Sequence, residues 1–314
     1  MISQNEVVLV TGAAGGRQGS TGKLVTQMLR ERGVHVRALV HKLDDRSEAL
    51  RALGAEVVQG DLLDLPSVRN AMVGVKRAMF VYPVRQGLLK ATSTFAAASR
   101  ETGVEVVANL SQLLSSNIGE EPTPHQVRHW LGEQIFNWAE VGAVHLNPPV
   151  FFENLRALVL GSVAKANVVA LPWGPPDTKI PMIAAEDVAR VAVGVLTGPK
   201  HEAGTVLPMI GAVVRVGDIA EHLSTLLDRP IKYVEISDEQ WLQNVAQAGL
   251  PPEALEHLSH LWRYFRNNFA EFQASYRISP AVEEIGGSKP ITLPEFFQTH
   301  RELLSGSPAA APSV

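Results

Sequence analysis

Residues 7 to 22, VVLVTGAAGGRQGSTG, constrain this chain more than any other stretch: a short apolar run enters a glycine-rich loop, which opens an amphipathic helix. Val7, Val8, Leu9 and Val10 form the β-branched run expected of a parallel strand buried on both faces. Leu24, Val25, Met28 and Leu29 then recur at helical spacing until Gly33. Glycine admits backbone angles closed to other residues and lets N–H groups approach a pyrophosphate, which sits at the positive end of the helix dipole. The unit therefore predicts the first βα crossover of a parallel sheet and a bound anion. Gly12 and Gly15 leave the strand, while Gly16, Gly19 and Gly22 form a GxxGxxG that opens the helix. Gly22 is the glycine expected to seat helix on strand, and the loop is roughly four residues longer than the usual dinucleotide fingerprint. Ser20 and Thr21 stand at the helix start, and the inserted Arg17 and Gln18 fall where a phosphate would lie.

The same alternation continues. Strands are expected at 34–40, 55–59, 77–82, 104–110 and 143–147, separated by helices at 46–53, 66–73, 88–102 and 125–140. Regular βαβ order implies an α/β fold with a doubly wound parallel sheet, whose ligands bind beyond the carboxyl ends of the strands. A first domain over 1–152 is expected, with 183–211 returning to it. A smaller, helix-rich lobe spans 153–304, and 305–314 reads as a small-residue, Pro-rich disordered tail.

Composition narrows the classes. At 314 residues, 46% hydrophobic and 19% charged, this is an ordinary globular chain, and its formal net charge of −4 offers no basic field for nucleic acid. With no cysteine, thiolate catalysis, disulfides and cysteine-ligated zinc are excluded, which suits a cytoplasmic setting. No secretory leader or membrane span is visible, and no membrane partner is expected.

The strand ends nominate the binding residues. The second strand ends in His41 and Lys42 rather than in the carboxylate that would hold the ribose hydroxyls of NAD, so NADP(H) is preferred over NAD(H). Arg17 and Arg37 are further candidates for a 2′-phosphate, whereas Lys42 and Arg46 also read as solvated loop charges. Asp61 and Leu62 follow the third strand and suit an adenine, although an aspartate there also serves as a turn residue. Tyr82, Pro83 and Pro148 lie at the ends of the fourth and sixth strands. Phe151 and Phe152, with Trp173 in the Pro-rich loop, are expected to wall a substrate, and Trp241 or Trp262 would complete the wall. His125, His129 and Glu133 are spaced four apart, so they share one helix face. His129 suits contact with cofactor or substrate, packing, or metal binding, and no metal is expected. Ser111 ends the fifth strand.

The stretches VTGAAG, RERGVHVRALV, GAEVVQGDLLD, HWLGEQIFNW, HLNPPVFFENL, IAAEDVARVAVGVLTGP and PITLPEFFQTHRELL together resemble the NmrA-like branch of the atypical short-chain dehydrogenases/reductases, over nearly the whole chain. The resemblance implies a Rossmann-type domain that binds NADP(H) and a C-terminal substrate lobe. It implies either a reductase of quinones, dyes or related conjugated compounds, or a cofactor sensor that regulates a protein partner. The Tyr-xxx-Lys pair of typical short-chain dehydrogenases is missing from HQVRHWLGEQ. His129 and Glu133 match the His-xxx-Glu of quinone-reductase relatives, so His129, Ser111 and Glu133 are the expected catalytic group. Asn147 departs from the arginine common before this proline. A small-molecule substrate is expected; a homodimer and, for a sensor, a protein partner stay open.

Overall fold

The computed structural model describes residues 6–16, 20–116, 122–245, 252–267 and 276–301. The chain runs β1 (Val7–Thr11), α1 (Thr21–Glu31), β2 (His35–Val40), α2 (Asp45–Ala52), β3 (Glu56–Gln59), α3 (Leu65–Ala71), β4 (Val75–Phe80), α4 (Leu88–Thr102), β5 (Val106–Leu110), a 3-10 turn (Leu113–Ser116), α5 (Pro124–Ala139) and β6 (Ala143–Asn147). It continues through β7 (Val150–Phe151), α6 (Asn154–Ala166), β8 (Val168–Leu171), β9 (Lys179–Ile183), α7 (Ala185–Thr197), β10 (Thr205–Pro208), β11 (Ala212–Arg215), α8 (Val216–Leu227) and β12 (Lys232–Glu235). Helices α9 (Asp238–Val245), α10 (Pro252–Asn267), α11 (Pro280–Glu284) and α12 (Leu293–Thr299) follow.

Two compact units emerge. The first comprises 1–149, 185–209 and 279–289, and the second 150–184, 210–278 and 290–314. In the first, seven strands pair in the order β10-β6-β5-β4-β1-β2-β3, every pair parallel. The order reverses beside β1, and such a switch point opens a crevice at the carboxyl ends of the adjoining strands. Val8, Leu9 and Val10 are fully buried, as a strand covered on both faces requires. Phe80 of β4, Phe95 of α4 and Phe136 of α5 pack with ring centroids 5.0 to 6.2 Å apart, seating two helices on the sheet.

Strand β10 pairs with β6 at one edge of this sheet, and α7 belongs to the same unit. Residues 279–289 also join the first unit, whereas the sequence pattern put them in the lobe. The cause is a set of long-range contacts: Arg190 of α7 donates to the carbonyls of Gly286, Ser288 and Lys289, and pairs with the buried Asp187. Gly194 of α7 also packs so closely on Ile285 that an added Cβ would lie 2.4 Å from its carbonyl oxygen.

The second unit holds a three-stranded sheet, β11-β9-β7, and the parallel pair β12-β8. Trp173, Trp241 and Trp262 are buried together, with Trp262 centred 4.9 Å from Trp173 and 6.3 Å from Trp241. Among the described residues no helix is long and apolar enough to cross a membrane. The expected 305–314 tail lies outside the described residues.

Candidate active site

The glycine loop begins as a turn in which Gly15 N–H donates to the Gly12 carbonyl at 3.1 Å, both residues having φ near +65°. Thr11 Oγ1 bridges to the backbone of Val81, donating to its carbonyl and accepting from its N–H, and so ties the carboxyl ends of β1 and β4. A Cβ on Gly22 would lie 2.6 Å from the Gly12 oxygen and 2.7 Å from that of Thr11, so helix α1 can approach β1 only with glycine there. Ser20 is the N-cap of α1 but makes no side-chain cap, and the first turn carries no acid. Glycines at positive φ and a helix start free of side-chain capping fit a dinucleotide pyrophosphate. Gly16 has open space around it and Thr21 is buried; Arg17, Gln18 and Gly19 lie outside the described residues.

The basic candidates separate. Arg37 sits in the first half of β2, away from the loop, and is engaged by Glu56 at 2.9 Å and by the carbonyls of Ala71 and Val73. It is therefore a structural pin and not a phosphate ligand. His41 and Lys42 are exposed beyond β2. Arg46, which the sequence left as a solvated loop charge, donates to the Gly15 carbonyl at 3.3 Å and pairs with Asp44. Asp61 Oδ1 accepts from the Leu63 N–H at 2.9 Å, so this oxygen closes a turn, and Leu62 packs on the sheet core. Tyr82 is buried with its hydroxyl donating to the Gln86 carbonyl, while Pro83 is exposed. The buried Pro148 accepts from the Leu113 N–H and anchors the 3-10 turn.

That turn completes a buried polar cluster. Helix α5 starts at a capping box between Thr123 and Gln126, and Gln126 also donates to the Leu114 carbonyl at 2.8 Å. The helix thereby directs His125, His129 and Glu133 toward the ends of β5 and β6. Ser111 Oγ and Ser115 Oγ each lie 2.5 Å from Glu133 Oε1. Asn147 Nδ2 donates to Ser115 Oγ at 3.0 Å and to Ser116 Oγ at 2.8 Å. His129 Nδ1 is 3.4 Å from Ser111 Oγ, and its Nε2 is 3.1 Å from Nε2 of His125. Burial holds the Glu133 carboxyl above the ordinary glutamate range, against the opposing effect of its hydrogen-bonding contacts with Ser111, Ser115 and Asn147. Burial likewise pushes His125 down to about 4, with the charge of Arg128 adding to it.

The spacing of His129 and Glu133 places both on this face, whereas Ser115 and Asn147 join the cluster only through the fold. The signal for Ser115 was the Ser111-xxx-Ser115 interval across a tight turn; Asn147 was noted only as a departure. The aromatic wall needs correction. Phe152 is fully buried against Phe296, 5.3 Å between centroids, and Trp173 is equally buried against Trp262. Both fill the interior of the second unit, because large apolar side chains on paired strands and flanking loops gain most by burial. Trp241 and Trp262 share that interior, and Phe151 is half-buried on β7. Among the described residues no three His, Asp or Glu side chains converge as a metal-ion site.

The model of the NmrA-like family matches residues 4–298. A curated relative, the NAD(P)H azoreductase of Xenophilus azovorans, is 27% identical over 94% of this chain and 98% of its own length. Among solved structures, an NADPH-dependent quinone oxidoreductase of Escherichia coli, complexed with NADPH, superposes with a TM-score of 0.76 at 21% identity, covering 93% of this chain and 99% of that one. NmrA, a negative transcriptional regulator in complex with NADP, superposes with a TM-score of 0.71 at 20% identity, covering 97% and 92%.

Proposed function

This chain belongs to the NmrA-like family, and from that premise we propose that it is an NAD(P)H-dependent reductase of a small, apolar, conjugated acceptor such as a quinone. NADP(H) is preferred over NAD(H). One observation carries the reading: the Ser111–Glu133–Ser115–Asn147 cluster, with His129 beside it, lies at the ends of β5 and β6 in the sheet whose β1 end carries the glycine turn. The azoreductase relative supports a conjugated acceptor.

Gly12, Gly15, Gly16, Gly19, Ser20, Thr21 and Gly22 hold the pyrophosphate, and His41, Lys42, Arg46, Arg17 and Gln18 meet the 2′-phosphate. Asp61 and Leu62 serve the adenine, and Tyr82, Pro83 and Pro148 the nicotinamide half. The bound cofactor supplies a hydride, a transfer that needs no protein acid, so the missing tyrosine of α5 is no obstacle. Ser111 and His129 orient the acceptor, and the protons it takes up come from water. The absence of cysteine suits a cytoplasmic, reducing setting.

A second reading, a cofactor-binding regulator without turnover, is favoured by the missing tyrosine and by the NmrA likeness. One experiment separates them: purified protein is titrated with NADPH, then supplied with quinones and azo dyes. The reductase reading expects NADPH consumption, with His129→Gln lowering kcat by about a hundredfold while cofactor affinity holds. Tight NADPH binding with no consumption by any acceptor would instead support the regulator.

A further inference from the structure

Counting hydrogens in the buried cluster fixes more than its membership. Ser115 Oγ lies 2.7 Å from the Gln112 carbonyl oxygen, an atom that can only accept, so the single hydroxyl proton of Ser115 is spent there. The same Oγ receives the Asn147 amide at 3.0 Å. It nevertheless stands 2.5 Å from Glu133 Oε1. Two oxygens at that separation without a hydrogen between them would repel, and Ser115 has none left to give. Of the groups around that contact, Glu133 is the one able to carry the missing hydrogen, as a protonated carboxyl. Exchanging the oxygen and nitrogen of the Asn147 amide only adds another acceptor facing the same serine, so the count is unchanged.

We propose that Glu133 is held as a neutral carboxylic acid that donates to Ser115 Oγ and accepts from Ser111 Oγ, and that it acts as a positioning residue setting the tautomer of His129. The directions follow in sequence. Ser111 gives its one hydroxyl proton to Glu133, so it turns a lone pair to His129, whose Nδ1 carries the hydrogen across 3.4 Å. His129 Nε2 is then an acceptor for the Nε2–H of His125 at 3.1 Å. The chain of donors runs one way, from His125 through His129, Ser111, Glu133 and Ser115, and ends on the Gln112 carbonyl.

The surroundings agree. Glu133 is buried and, among the described residues, no lysine or arginine forms an ion pair with it. Its neighbours from the end of β5, the 3-10 turn and β6 are Ser111, Ser115 and Asn147, all neutral, and from α5 come His129 and His125, the titratable members of the cluster. Desolvation penalises the charged form of such a carboxyl, in the direction found for Glu133.

This inference rests on the site reading above but is tested without cofactor or acceptor, so a silent turnover assay leaves it standing and its own failure leaves the reductase reading standing. Infrared difference spectra of the full chain are recorded at neutral pH, wild type minus Glu133→Gln. The expected result is the C=O stretch of one neutral carboxylic acid, shifting in heavy water and replaced by carboxylate bands as pH rises. Carboxylate bands alone at neutral pH would overturn the proposal. If Glu133→Gln does not fold, wild type minus Ser115→Ala supplies the same readout, because losing the acceptor moves the acid C=O stretch; an unmoved or missing acid band there overturns it equally.

Discussion

Arg37 and Arg46 lie nine positions apart and share the same chemistry, yet they have different tasks. Arg37 pins β2 to Glu56 and to the carbonyls of Ala71 and Val73. Arg46 reaches the carbonyl of Gly15 in the glycine loop. Arg46→Ala is expected to weaken NADPH binding about tenfold and to leave NADH nearly unchanged, since a guanidinium lost from a phosphate costs one charge-assisted contact. Paired calorimetric titrations with the two cofactors check this, and equal losses for both would deny Arg46 a role at the 2′-phosphate. Gly22 was legible beforehand because one spacing rule identifies the glycine at the helix–strand contact. The Arg46 contact was not, because spacing along a chain does not say where a long side chain turns.

Helix α5 is the element on which the site depends. Its capping box starts it, Phe136 packs it on Phe80 and Phe95, and the buried His145 of β6 holds it from below. Asn109 Nδ2 donates to His145 Nδ1 at 3.0 Å, and His145 Nε2–H donates to Asn137 Oδ1 of α5 at 2.9 Å. Burial pushes His145 from 6.5 down to about 4, so it is neutral in the folded chain. A depressed folded value means that the unfolded chain binds the extra proton. Stability is therefore full above pH 6.5 and declines as pH falls toward about 4, by at most about 3 kcal/mol from this residue. His125 acts in the same direction. Denaturation midpoints measured down this pH range should fall, and His145→Gln should flatten the decline; an unchanged slope would show that His145 is not the titrating group. The helix and its polar face were readable from period and spacing. The Asn109–His145–Asn137 tie was not, since its three members come from three elements that only the sheet order brings together.

Across the whole molecule, strand and helix alternation was legible because βαβ repetition is local. Residues 279–289 carry no such repetition. Their place in the first unit is set by Arg190 and by the close approach at Gly194, contacts that span nearly a hundred positions. Arg190→Ala removes the ion pair with the buried Asp187 and the donations to the carbonyls of Gly286, Ser288 and Lys289, and is expected to cost about 1 to 3 kcal/mol. Thermal melting checks this, and a shift within error would remove the ion pair from the account. The buried Phe152 and Trp173 mark the opposite limit: an aromatic near a strand end satisfies pocket and core equally well in sequence, and here the core of the second unit takes both.

The reaction proposed for this chain is reduction of a conjugated acceptor by a bound nicotinamide at the Ser111–His129–Glu133 face. A single-turnover experiment tests it most directly: protein loaded with one equivalent of NADPH is mixed rapidly with excess quinone, and the absorbance of the reduced nicotinamide is followed. The full equivalent should be lost in the wild type, and markedly more slowly in Ser111→Ala and His129→Gln at equal occupancy. NADPH that stays bound and unoxidised, or identical rates in all three proteins, would contradict it.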